Sequence, residues 1–189
     1  MYRDLGRKYT VSNDLLIRTG IFKIDGAPVP QVRHSFTYTK RGPRAYYKSK
    51  SFISGKKFAA DVIRFQQQHN KTNITVPKSV PVVVRVVYVF PRPKRLKKRR
   101  SEPGFIVHTV KPDIDNLDKL YLDLLSGVAY CDDNQVTKLE STKVFTSYDH
   151  ETKSDGWTGV FIQVFRIEIA ELMKSLEFPA DFNPDDLPW

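Results

Sequence analysis

The sequence predicts an α+β fold, a single domain in which two helices pack on a mixed sheet of four to five strands. The strongest signal is residues 80–90, an apolar run interrupted only by the charge of Arg85. Because both faces of this run are largely apolar, we expect a strand inside the sheet rather than at its edge. Residues 55–69 and the segment that begins at Asn116 instead repeat apolar side chains at helical spacing. With 189 residues, the chain is long enough for one hydrophobic core.

The chain divides into a core domain with an extension on either side. Residues 1–20 are mixed and polar, so we expect an N-terminal extension there. Residues 21–169 hold the strand and helix signals, and residues 170–189 form an acidic, proline-punctuated tail. Within the core domain, the remaining strands are expected at residues 21–24, 105–110, 135–145 and 157–167.

Each predicted helix has an apolar face that we expect to be buried. In the first, the predicted buried face is Phe58, Val62 and Phe65, supported by Ala59 and Ile63. In the second, the predicted buried face is Leu117, Leu120, Tyr121 and Leu124, and Gly127 is placed as the left-handed stop. A second stripe on that helix, pointing away from the core, consists of Asp115, Lys119 and Asp123.

Charge is distributed unequally between the two halves of the chain. Residues 1–104 carry 24 Lys and Arg against 5 Asp and Glu, whereas residues 105–189 carry 7 against 16. A basic half beside an acidic half suits a protein that contacts phosphates with one surface and holds a metal with another. The alternative is a basic protein whose charges serve solubility alone.

A loop of six cations in seven residues, 94–100, is the main candidate for contacts with a nucleic-acid backbone. Such a run is also compatible with a solvated loop or a nuclear-import signal. Residues 38–48 interleave basic and aromatic side chains, which is typical of single-strand binding and also of ordinary exposed loops. The residues we predict to contact DNA are Arg33, Lys94, Arg95, Lys97, Lys98, Arg99, Arg100 and Lys111.

Two acidic clusters flank the second helix and predict a metal site. Asp113 and Asp115 lie where a strand gives way to the helix, and Asp133 follows the helix after a turn. Carboxylates gathered in this way repel one another, and a hard divalent cation is their usual partner. Each acid also has a structural interpretation: Asp113, Asp115 or Asp118 as a helix cap, and the 132–134 segment as a turn.

Other chemistries find little support in the sequence. A zinc site lacks its Cys and His ligands, and phosphate-binding glycine loops are absent. The lone Cys131 lies beside two acids, which argues against thiolate catalysis. His108 lies in a β-prone segment, where a histidine is more often packed than catalytic. No apolar run has the length of a membrane span, so we expect no membrane association and a cytoplasmic protein.

The motif Lys111-Pro112-Asp113-Ile114-Asp115-Asn116-Leu117, followed by Lys119, Asp123 and Gly127, resembles the signature of the RusA family of Holliday-junction resolvases. The match continues through Asp132, Asp133, Gln135 and Val136, and extends more weakly over residues 21–169.

The resemblance implies a homodimeric, Mg²⁺-dependent endodeoxyribonuclease, with Mn²⁺ able to substitute, that nicks opposed strands of a four-way or otherwise branched DNA. It implies Asp113, Asp115 and Asp133 as metal ligands and Lys119 as the essential lysine. The supporting polar positions are Asp132, Asn116 and Asp123. It also implies the order of the strands in space. Two alternatives stay open: a non-catalytic DNA-binding protein of the same fold, and a less specific nuclease acting on linear DNA or RNA.

Overall fold

A five-stranded mixed sheet carries the fold in a computed structural model of the chain. The structure describes residues 15–31, 36–39, 42–45, 50–97 and 104–168. The sheet has the strand order β1-β9-β4-β6-β5. Its strands are β1 (Leu16–Asp25), β4 (Val82–Phe90), β5 (Ile106–Val107), β6 (Val136–Phe145) and β9 (Gly159–Ile167). The other strands of the described residues form two small hairpins, β2 (Phe36–Thr39) with β3 (Gly42–Ala45) and β7 (Tyr148–Asp149) with β8 (Ser154–Asp155). The two α-helices are α1 (Lys50–His69) and α2 (Ile114–Leu125).

Strand β4 is the centre of the sheet, as its sequence predicts. It pairs antiparallel with β9 on one side and parallel with β6 on the other. Val82, Val84 and Val86 are buried on one face, and Val83 and Val89 are buried on the other. The expected α+β architecture, with two helices and a mixed five-stranded sheet, is therefore confirmed.

Helix α2 presents two chemically distinct faces, and both follow the prediction closely. Leu117, Leu120 and Tyr121 are buried in the main core together with Leu125, whereas Leu124 is half-buried. The second stripe is exposed along its whole length: Asp115, Lys119 and Asp123. The helix thus separates a packing surface from a charged surface.

Helix α1 buries a different face from the one predicted. Phe58 and Phe65 are 51% and 61% exposed, whereas Ala59 and Ile63 are buried. Both sets recur at helical spacing, so periodicity alone cannot choose between them. The smaller side chains at 59 and 63 face the sheet, and Val62, half-buried, packs against the rim of the core.

Strand β1 begins at Leu16, five residues earlier than predicted, and lies at one edge of the sheet. Two side-chain amides cover part of its outer backbone. Gln66 bonds both the amide (2.9 Å) and the carbonyl (2.6 Å) of Lys23, and Asn73 does the same for Ile21 at 3.0 and 3.3 Å. These contacts satisfy backbone groups that would otherwise be open to pairing with another chain. None of the described helices is long and apolar enough to cross a membrane.

Gly127 provides a test of how α2 ends. The helix stops at Leu125, and Gly127 follows with φ of +73°, a left-handed conformation. A methyl group there would meet no heavy atom within 4 Å, so the cost of a side chain is conformational. We expect Gly127→Ala to lower the free energy of unfolding by about 1–2 kcal/mol, measured by urea denaturation. Gly127→Asn should lose less, because asparagine tolerates this conformation; equal losses would contradict the explanation.

Candidate metal centre

The chain reaches the first acidic cluster along the end of β6. Strand β5 pairs with Phe145 and Val144, and the amide of His108 then donates to the carbonyl of Lys143 at 3.0 Å. The Lys111–Pro112 peptide bond is cis, and α2 begins directly afterwards at Ile114. The first cluster is therefore fixed at the junction between a sheet edge and a helix N-terminus.

Asp113 occupies the N-cap position of α2 without acting as a side-chain cap. Its backbone is extended (φ −70°, ψ 144°), but its carboxylate makes no capping hydrogen bond. The capping interpretation of Asp113 is therefore wrong. Asp113 and Asp115 are both exposed, and Lys119 is exposed one turn further along the helix. Two carboxylates and one ammonium thus face solvent around the first turns of α2.

The second acidic cluster contains one structural and one unengaged acid. Asp132 caps the short 3₁₀ turn Asp133–Gln135 by accepting from the amide of Asn134 at 3.1 Å, and the Gln135 side chain accepts from the amide of Asp132 at 3.0 Å. The turn interpretation therefore describes Asp132. The carboxylate of Asp133 is exposed and has no hydrogen-bond or ion-pair partner within the described part of the chain.

The two clusters lie at opposite ends of α2. Asp133 follows shortly after Tyr130; burial raises the pKa of the Tyr130 phenol, and the negative charges of Asp133 and Asp123 raise it further. The Tyr130 hydroxyl in turn donates to the carbonyl of Leu122 in the last turn of the helix. A helix of 12 residues is about 18 Å long, and Asp113 stands at its other end.

Consequently, a single chain does not gather the three predicted ligands. Across residues 15–31, 36–39, 42–45, 50–97 and 104–168, no group of three or more His, Cys, Asp or Glu side chains is arranged to hold a metal ion. The donor chemistry nevertheless fits Mg²⁺, because Asp113, Asp115 and Asp133 offer exposed carboxylate oxygens. In one chain, however, these carboxylate oxygens do not come together around a single point.

Asp118 has a structural role that the sequence did not indicate. Rather than serving the helix terminus, its carboxylate accepts hydrogen bonds from the Tyr88 hydroxyl at 2.8 Å and the Ser141 hydroxyl at 2.7 Å. Burial and the charge of Asp118 raise the pKa of the Tyr88 phenol well above its usual range. Asp118 therefore ties α2 to β4 and β6.

A buried arginine contacts the basic loop and the chain that follows it. Arg92 is 2% exposed, and its guanidinium donates to the carbonyls of Thr146, Leu96 and Gly104. Lys94 and Arg95 are exposed in the 3₁₀ turn Lys94–Leu96, between Arg92 and the Leu96 carbonyl that it contacts. The other predicted DNA contacts divide into three groups: Lys111 is exposed, Lys97 pairs with Asp155, and Arg33, Lys98, Arg99 and Arg100 lie outside the described residues.

His108 and Lys143 complete the surroundings of the first cluster. His108 is buried between the rings of Phe90 and Phe145, with centroids 4.3 Å from each. Burial, and then the charge of Lys143, lowers the pKa of His108. The packed interpretation of His108 is therefore confirmed. Sequence reasoning missed both Arg92 and Lys143, because nothing local distinguishes them from other cations of the chain.

The fold and the site define a class: an α+β protein that exposes carboxylates at both ends of one helix and carries a basic loop contacted by a buried arginine. Comparison with known proteins agrees. The family model "Endodeoxyribonuclease RusA" matches residues 25–153. The "Uncharacterized protein YqaN" of Bacillus subtilis (strain 168) is 36% identical over 132 residues, which cover 66% of this chain and 87% of the relative. The chain belongs to the RusA family of endodeoxyribonucleases.

Stability measurements should distinguish Asp118, which holds α2 on the sheet, from Asp113, whose carboxylate makes no capping hydrogen bond. Asp118→Ala removes the acceptor of the buried Tyr88 hydroxyl, so we expect a loss of about 1–3 kcal/mol in the free energy of unfolding. Asp113→Ala removes no capping bond and should change it by no more than about 0.5 kcal/mol. Urea denaturation of both variants tests this contrast. A cost at Asp113 equal to that at Asp118 would show that Asp113 stabilises the fold.

Proposed function

We propose that the protein is a Mg²⁺-dependent endodeoxyribonuclease that acts as a twofold dimer and resolves four-way DNA junctions by paired nicks. The observation that carries the proposal is the state of Asp113 and Asp133. Each carboxylate is exposed, neither takes part in the cap or turn available to it, and they stand at opposite ends of α2. Membership of an endodeoxyribonuclease family supports the reaction class.

A second copy of the chain offers a geometric solution to the separated ligands. Two α2 helices related by a twofold axis and lying antiparallel would bring the N-terminal end of one beside the C-terminal end of the other. Asp113 and Asp115 of one chain would then meet Asp133 of its partner. The same operation creates two equivalent sites, which suits two symmetric strands of a junction.

The sheet edge next to this helix has the character of an interface. Strand β5 covers β6 through only two residue pairs, so much of the outer edge of β6 remains uncovered within the described residues. Exposed apolar side chains surround this region: Phe105, Val107, Val110, Ile114 and Leu139. A concentration of apolar groups at an open edge is typical of a surface that a partner covers.

The residues of the chain have separable tasks in the proposed reaction. Asp113, Asp115 and Asp133 would hold the metal, which when bound supplies an activated water and neutralises charge on the phosphate. Lys119, exposed one turn after Asp115, would stabilise the negative charge that develops on the scissile phosphate. In-line displacement would leave a 5′-phosphate and a 3′-hydroxyl.

Binding of the DNA arms would rest on cations outside the metal site. Lys94, Arg95 and Lys111 are exposed, and the hydrogen bond from Arg92 to the Leu96 carbonyl holds the turn that carries the first two. Such contacts address phosphates and carry no sequence information by themselves. They would place the junction without selecting a base.

A cleavage assay with three substrates tests the reaction. Labelled four-way junction, linear duplex and RNA are incubated with the protein in Mg²⁺ or EDTA, alongside Asp115→Asn. We expect paired nicks on the junction only, lost in EDTA and in the variant, while junction binding survives. Binding without cleavage by the native protein would instead indicate a non-catalytic DNA-binding protein. Equal cutting of duplex or RNA would indicate a less specific nuclease.

Heterodimer complementation tests whether each site is shared between two chains. Asp113→Asn and Asp133→Asn should each be inactive as homodimers. In their heterodimer, one shared site contains both substitutions and the other contains none, so we expect nicking of one strand per junction. If each site lay within one chain, both sites would be defective and no cleavage would return.

A matched control uses two substitutions at the same end of α2. In a heterodimer of Asp113→Asn with Asp115→Asn, every site carries one substitution under either arrangement. We therefore expect this pair to stay inactive. Its recovery of activity would contradict the assignment of both acids to the metal site.

A further inference from the structure

Lys143 makes contacts that no prediction from the sequence assigned to it. It lies near the end of β6 and is half-buried. Its ammonium donates to the carbonyl of Pro112 at 2.6 Å and to the carbonyl of Val110 at 3.0 Å. Its own carbonyl accepts from the amide of His108. One residue of β6 therefore holds three points of the five-residue segment that ends at Pro112.

That segment determines where the first two predicted ligands stand. Asp113 follows Pro112 directly and is the N-cap of α2, and Asp115 lies in the first turn. Two residues before Lys143 on the same strand, the Ser141 hydroxyl bonds Asp118. Strand β6 thus holds the chain at Pro112, just before the two acids, through Lys143, and at Asp118, just after them, through Ser141.

We propose that Lys143 is a positioning residue of the metal centre, which holds Asp113 and Asp115 in place by tying the Val110 and Pro112 carbonyls to β6. This rests on the proposed function, because it assigns those aspartates to a metal. Outer-shell groups that orient ligands commonly contribute about 10–100-fold to metal affinity. The Lys143 ammonium donates to two backbone oxygens beside the acids, so we expect its loss to change metal affinity more than junction affinity.

The experiment measures metal binding directly, with MnCl₂ as the probe and the dimeric full-length protein in a calorimeter. We expect Lys143→Met to weaken Mn²⁺ binding by about tenfold or more, with junction binding in EDTA changed less than about twofold. Lys143→Arg keeps a cation with several donors and should restore much of the affinity. The matched control is Lys138→Met on the same strand, whose ammonium pairs with Glu140 at 2.7 Å; it should bind Mn²⁺ like the native protein.

His108 supplies a spectroscopic check that the variant is folded and has lost this contact. Burial and, after it, the charge of Lys143 lower the pKa of His108, so the pKa measured by NMR should rise in Lys143→Met and stay unchanged in Lys138→Met. If Lys143→Met does not fold, Lys143→Gln takes its place, since it removes the charge and shortens the reach of the donor. The same loss of affinity is expected.

The outcomes separate this inference from the proposed function. Mn²⁺ affinity of Lys143→Met or Lys143→Gln equal to that of the Lys138→Met control would overturn the positioning role. Native protein that binds Mn²⁺ but does not cut the junction would contradict the proposed function alone, and the affinity ratio would still decide the role of Lys143. Native protein that binds no Mn²⁺ would overturn both.

Discussion

The parallel pairing of β4 with β6 is the constraint from which the arrangement of the site follows. A parallel neighbour requires the chain to travel back along the sheet before the next strand begins. In this protein α2 makes that return, from the end of β6 near Lys143 to its beginning near Val136. Residues placed just before and just after such a helix must end up at opposite ends of it.

That constraint gives the acids of α2 and its flanks different physical roles. Asp118 faces the sheet, where two hydroxyl donors compensate its charge, and it holds the helix in register with β4 and β6. Asp132 closes a tight turn through a reciprocal pair of hydrogen bonds. Asp113 stands at the N-cap of α2 and Asp133 lies in the turn after it, but neither carboxylate caps the helix or closes the turn. Acids of similar local sequence therefore divide into those that stabilise the fold and those that stay available to a ligand.

In the basic loop and before α2, hydrogen bonds from a buried or half-buried cation hold exposed residues in place. Arg92 is buried, and its guanidinium donates to the Leu96 carbonyl in the basic loop, to the Gly104 carbonyl after the loop and to the Thr146 carbonyl just after β6. Lys143 acts likewise on the approach to α2. Both cations are compensated by backbone oxygens, so their desolvation is offset while their neighbours remain open to solvent. Edge strand β1 shows the same device with neutral amides, through Gln66 and Asn73.

The sequence by itself determined the features that depend on local pattern. The apolar run at 80–90 was sufficient to place β4 inside the sheet, and the spacing on α2 separated its buried leucines from its exposed charges. Gly127 marked the end of that helix, because a glycine readily adopts the left-handed conformation that this position has. These features could be predicted since each depends on neighbours within a few residues along the chain.

Tertiary structure decided what local pattern leaves ambiguous. Helix α1 carries two overlapping apolar sets at equivalent spacing, and only its packing on the sheet selected Ala59 and Ile63 over Phe58 and Phe65. The spacing of Asp113 and Asp133 along the chain suggested proximity, yet the direction of β6 relative to β4 separates them by the length of a helix. Lys143 acquired its contacts from residues about thirty positions earlier. Such pairings depend on strand direction and register, which are properties of the whole sheet rather than of any one segment.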